Sequence, residues 1–148
     1  MYLNDSLKQK NIITVNDGII AHSEREWANF FGYTPKNLPC CSFYKEKNVN
    51  FWFPHCDSGG HWLNVLSPDG LTLTETSSHI VPIDKYPNKH YPPRLLFPRY
   101  IENGKYCFKF VGVFLFSDEE SKDGVMHIYK RISDHLSWND GNPHNFYW

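Results

Sequence analysis

Hydrophobic positions along this chain keep two rhythms. Near the start, Trp27, Phe30 and Phe31 fall at helical spacing on one face of residues 23–31. Ser23 followed by Glu26 forms a capping box that starts this helix, and Gly32 ends it. Before it, Ile12-Ile13-Thr14-Val15 and Gly18-Ile19-Ile20-Ala21 flank Asn16-Asp17, which predicts a small hairpin. After it, Thr34-Pro35 looks like a second helix start that Pro39 cuts off almost at once.

From residue 49 onward the period drops to two. Residues 49–53, 61–66 and 71–75 read as strands, the last two joined by the tight-turn sequence Ser67-Pro68-Asp69-Gly70. Residues 106–116 read as the strongest strand and become apolar on both faces from Phe110, which predicts one strand buried on both sides near the sheet centre. Gly112 within it predicts a bend, a bulge or the close approach of another element. In residues 125–132, Met126, Ile128 and Ile132 share one face; Val125, His127, Tyr129 and Arg131 share the other, read as the outer skin of the sheet. Pro82, Pro87, Pro92, Pro93 and Pro98 argue against a central strand and predict an extended surface arm over residues 82–99. The terminal Phe146-Tyr147-Trp148 is expected to tuck onto the body. One helix followed by six or more strands predicts a single α+β domain over residues 1–148. Its architecture would be a strongly curved antiparallel sheet or a partly closed β-barrel.

Composition changes this picture in one respect. Aromatic residues make up 17% of the chain, more than one small core needs, so some rings are available for recognition. The net charge of −1 removes any global basic field, and a nucleic-acid surface would have to be local. No apolar run suits a secretory signal or a membrane span. Cys40, Cys41, Cys56 and Cys107 are then expected as free thiols in a cytoplasmic protein.

Two segments concentrate chemistry. FWFPHCDSGGHW, residues 51–62, sets His55, Cys56, Asp57 and His61 between Trp52 and Trp62. Its histidines and Cys56, with Cys40 or Cys41, could hold a metal, although no C-x-x-C knuckle is present. Cys56 with His61 could form a nucleophile–base pair. The simplest reading is a Gly-rich loop whose two indoles flank a groove, with neither metal nor cofactor. KYPNKHYPPRLLFPRY, residues 85–100, alternates Lys85, Lys89, Arg94 and Arg99 with Tyr86, His90, Tyr91 and Tyr100. Cations that meet phosphates, interleaved with rings that stack on bases, are the local signature of a nucleic-acid surface. An ordinary solvated loop has the same composition. The row His127, Tyr129 and Arg131 could extend such a surface, reinforced by Lys105 and Lys109.

HWLNVLSPDGLTLTE (61–75), YCFKFVGVFLF (106–116) and HIYKRIS (127–133) resemble parts of the SRA/PUA-like modules attached to modification-dependent restriction endonucleases. The resemblance implies a compact curved sheet that reads nucleic acid, in some cases by extruding a modified base into an aromatic pocket. It implies Trp52 or Trp62 as stacking rings and Asp57 as a contact to the base edge. Arg94, Arg99 and Arg131 would hold phosphates, with Lys85 and Lys89 beside them. The leading expectation is a nucleic-acid-binding module without catalytic residues, acting alone or with a protein partner such as a nuclease. The alternatives are a protein-binding inhibitor or adaptor of phage–host conflict, and a small metal-dependent hydrolase or nuclease using His55, His61 and Asp57.

Overall fold

A computed structural model describes residues 1–57, 62–77, 92–122 and 126–148. Its α-helix, α1 (Glu24–Phe30), begins as the sequence dictates: Ser23 caps the N–H of Glu26, and the Glu26 carboxylate reaches back to the N–H of His22. Trp27, Phe30 and Phe31 are buried, and Gly32, at φ +78°, turns the chain away.

Twelve strands follow one another along the described chain: β1 (Ile12–Thr14), β2 (Ile20–Ala21), β3 (Cys41–Tyr44), β4 (Val49–Trp52), β5 (Trp62–Leu66), β6 (Thr72–Ser77), β7 (Arg94–Leu96), β8 (Arg99–Glu102), β9 (Lys105–Lys109), β10 (Gly112–Phe116), β11 (Met126–Ser133) and β12 (His135–Ser137). Seven of them form the main sheet in the order β3-β4-β7-β10-β11-β6-β5; β2-β9-β8 and β1-β12 form smaller ones. The main sheet is open, with β3 and β5 at its edges among the described residues, so the expected barrel closure is not seen. Nor is it wholly antiparallel, because β4 and β7 run parallel. Strong curvature is present. Trp52 on β4 and Tyr129 on β11 stand three places apart in the order, about 14 Å in a flat sheet. Their ring centroids are 4.7 Å apart across the concave face.

Several local expectations change. Residues 12–21 make no hairpin: β1 pairs with β12 and β2 with β9, and a short 3-10 turn at Val15–Asp17 separates them. The Asp17 carboxylate satisfies the N–H of Thr14, so the turn closes locally while its flanks pair far away. No second helix forms at Thr34-Pro35. Of the arm over residues 82–99, residues 82–91 lie outside the described residues; the remainder contains a central strand, contrary to expectation. Arg94-Leu95-Leu96 fits between β4 and β10 because the prolines bracket it and contribute carbonyls: Pro93 O accepts from Asn50 and Pro98 O from Lys109. The run 106–116 is two strands in different sheets, broken at Phe110-Val111. Gly112 makes the break possible. Its φ is +125°, and a Cβ there would lie 2.6 Å from Arg131 Cδ and 2.8 Å from Ser133 O.

The principal core lies between α1, the small sheets and one face of β4, β7 and β10. It contains Trp27, Phe31, Phe51, Phe97, Phe110, Trp138 and Phe146. Of the three terminal rings, Phe146 is buried, while Tyr147 and Trp148 keep nearly half their surface exposed.

Candidate functional site

The opposite, concave face of the main sheet carries a second cluster: Trp52, Leu73, Leu96, Val111, Phe114 and Tyr129, with Cys56, Leu66 and Phe116 packed against it. Strand pairing places polar side chains among these rings. Asn50 and Arg94 are partners on β4 and β7, and Asn64, Glu75 and His127 are successive partners across β5, β6 and β11. Alternation puts the latter three on the same face as Leu66, Leu73 and Tyr129.

Arg94 lies over two rings at once, its guanidinium carbon 4.5 Å from the Trp52 centroid and 4.6 Å from that of Tyr129. A guanidinium shielded by aromatic faces keeps its charge with part of its water removed, which strengthens its pull on anions. At the other end, His127 Nδ1 stands 3.6 Å from Glu75 Oε1, and Phe116 meets the imidazole edge-on at 5.4 Å. His127 and Tyr129 were expected on an outer skin; both are buried, because the sheet curls their face inward. Asn64 is 7% exposed, and its Oδ1 has no hydrogen-bond partner among the described residues. Such a buried acceptor costs about 1–3 kcal/mol until a donor reaches it.

Charge couples the two sides of the concavity. Desolvation raises the thiol of Cys41, Arg94 lowers it, and Glu75 raises it again from β6. Cys40 is pushed up to about 12, first by desolvation and then by Glu24, with Cys41 and Glu75 adding to it. Both residues are exposed overall, but the sulfur of Cys40 turns inward and donates to Phe53 O at 3.0 Å. Cys56 rises to about 11 through burial and Asp57, so it is a poor thiolate. Burial and Arg99 lower His55. Among the described residues no group of three His, Cys, Asp or Glu side chains could hold a metal ion.

Trp52, Arg94, Tyr129 and His127 are therefore brought together. Asp57 and Arg99 form a separate pair beside them, bonded to each other through Nε–Oδ2 at 3.0 Å and Nη2–Oδ1 at 3.2 Å. Arg131, the strand partner of Phe114 on β10, lies against Gly112, where a Cβ would sit 2.6 Å from its Cδ, and a Cβ on Gly70 would lie 3.4 Å from its Nη1. Lys105 is exposed, and Lys109 half-buried on β9, outside the main sheet. Lys85, Tyr86, Lys89, His90, Tyr91, His61 and the side chain of Trp62 lie outside the described residues. Asn64 and Glu75 were not anticipated. The signal was present in Trp62-Leu63-Asn64-Val65-Leu66, where Asn64 occupies the inward phase of an alternating strand.

Residues 6–138 match the model of the SET and RING associated domain, SRA. The chain belongs to the SRA family. The likeness first read from three segments of the second half thus extends over most of the sequence, the N-terminal helix included. Among solved structures, the SRA chain is similar to "The 5-Hydroxymethylcytosine-Specific Restriction Enzyme AbaSI", with 25% sequence identity and a TM-score of 0.72. The match covers 89% of this chain and 44% of that one, so the SRA chain spans less than half the length of that enzyme. No curated protein matches it. No helix among its described residues is long and apolar enough to cross a membrane.

Proposed function

We propose that this SRA chain binds DNA and reads a modified cytosine on the concave face of its main sheet. Trp52 and Tyr129 would supply the apolar wall, and Arg94 the cation on their faces. Asn64, Glu75 and His127 would form a polar end that meets the edge or substituent of the base. The observation that carries this reading is the buried, unsatisfied Oδ1 of Asn64 beside an aromatic cluster in a chain of this family. A base bearing an amino or hydroxyl donor supplies what that oxygen lacks; an unsubstituted apolar group does not.

Among the described residues, Cys56 is a poor nucleophile, because burial and Asp57 raise its thiol to about 11. Reading without cutting is the chemistry the site supports, and cleavage would belong to a partner or to another domain. The similarity to an enzyme specific for 5-hydroxymethylcytosine suggests that base as the first ligand to try.

Duplexes carrying cytosine, 5-methylcytosine or 5-hydroxymethylcytosine at one position test the proposal by mobility shift over a range of salt. The expected result is tightest binding to the hydroxymethylated duplex, weakening as salt rises because phosphate contacts release counterions. Equal affinity for all three would remove the base-reading role, and no binding would remove the nucleic-acid role altogether.

A further inference from the structure

Residues 54–57, just past β4, are bonded at several points to one residue of a different sheet. Arg99, at the start of β8, donates its backbone N–H to Pro54 O at 2.8 Å, and its carbonyl accepts the N–H of Cys56 at 3.2 Å. His55 forms an isolated parallel bridge with the same residue. The Arg99 side chain then grips Asp57 with two nitrogens, while its guanidinium carbon lies 4.2 Å over the Tyr106 ring. The side chains are 15% and 5% exposed, so the pair is largely out of water.

Buried ion pairs return little net stability for the desolvation they require, and their best-attested value is in fixing geometry. This one sits where geometry matters. Cys56, between the two backbone bonds and Asp57, packs against the aromatic cluster of the concave face. Farther along the chain, β5 carries Asn64 into the same face. An arginine engaged along one edge and one ring face is also poorly placed to take a phosphate.

We infer that Asp57 and Arg99 are positioning residues: their pairing fixes residues 54–57, and through Cys56 the adjoining side of the concave site, without touching nucleic acid. For its effect on DNA this inference rests on the proposed base-reading role, but the pinning itself does not. Only a planar fork satisfies both carboxylate oxygens, so lysine is not an equivalent replacement.

Two variants test it. Arg99→Lys keeps the charge and loses the fork; Asp57→Asn/Arg99→Gln keeps a hydrogen-bonded pair without charge, which guards against simple unfolding. The first readout is amide hydrogen exchange at Cys56 and residues 63–66. In Arg99→Lys, exchange at Cys56 is expected to quicken about tenfold, in line with the effect of losing a supporting shell. Unchanged exchange overturns the inference, whatever the protein binds.

The second readout is affinity for a duplex with one 5-hydroxymethylcytosine against its unmodified counterpart, measured across salt. Arg99→Lys is expected to cut the preference about tenfold by loosening the site. In the double variant the slope of log affinity against log salt should stay at the wild-type value. A slope shallower by about 0.9 would mean that Arg99 neutralises a phosphate, and the inference would fall. If the wild type shows no preference for the modified duplex, the base-reading role fails, and the exchange rates still decide the pinning.

Discussion

The two aromatic clusters of this protein stand on opposite faces of one sheet and are built to different rules. In the principal core the indole N–H groups are satisfied: Trp27 Nε1 donates to Phe108 O at 2.8 Å and Trp138 Nε1 to Lys8 O at 2.7 Å. Rings there meet rings, as where Phe31 stands edge-on to Trp138 and Phe146. On the concave face Arg94, Glu75, His127 and Asn64 interrupt the apolar surface, and Asn64 Oδ1 finds no partner among the described residues. A core designed only for stability would fill those positions with aliphatic side chains. The difference marks the first cluster as the scaffold; in the proposed base-reading role, the second is where stability would be given up for recognition.

That contrast can be broken most forcefully in the scaffold. Trp27→Ala should destabilise the fold by about 3–5 kcal/mol, through the cavity and the orphaned carbonyl of Phe108, as read by chemical denaturation. A loss below about 1 kcal/mol would mean that the core tolerates a void and is no scaffold. Asn64→Leu should act in the opposite sense, raising stability by about 1 kcal/mol because the unsatisfied oxygen is gone. The same change should abolish any preference for a hydroxymethylated duplex. A variant that is less stable yet keeps that preference would contradict the role given to Asn64.

A subtler distinction lies in the thiols. Cys56 is raised to about 11 in the fold from an ordinary value near 9, so unfolding releases its proton first as pH climbs. Its contribution to stability is therefore intact below pH 9 and lost as pH rises through about 11. Wild type should lose stability more steeply than Cys56→Ala over that interval in thermal melts at stepped pH. The smallest effect is expected outside the site. Lys130 pairs with Glu120 at 3.1 Å while both side chains are about half exposed. Lys130→Ala should change stability by no more than about 0.5 kcal/mol and leave base preference untouched.

Local rules were legible in the sequence and distant ones were not. The Ser23 cap, the buried stripe of Trp27, Phe30 and Phe31, and the Ser67–Gly70 turn follow from neighbours within a few residues. The failures share one cause. Residues 12–21 look like a hairpin until β12 and β9 compete for the same strands, and the prolines around Arg94 look prohibitive until their carbonyls are seen to serve β4 and β9. At the site, Trp52, Arg94, His127 and Tyr129 could be named from residue type, yet their meeting depends on the curl of the sheet. Asp57 and Arg99 could likewise be named, but nothing in one dimension says that they bind each other.

The parallel pairing of β4 with β7 has a consequence for how the protein is made. Between them the chain travels to the far edge of the sheet, leaves the β5–β6 hairpin beside a place that β11 has yet to fill, and returns. Strand β1 likewise awaits β12, and Trp27 awaits the carbonyl of Phe108. A nascent chain therefore emerges with β1 and β2 unpartnered and the Trp27 indole uncapped. Assembly is deferred until the later third of the chain is available, and chaperone demand should fall most heavily on that interval.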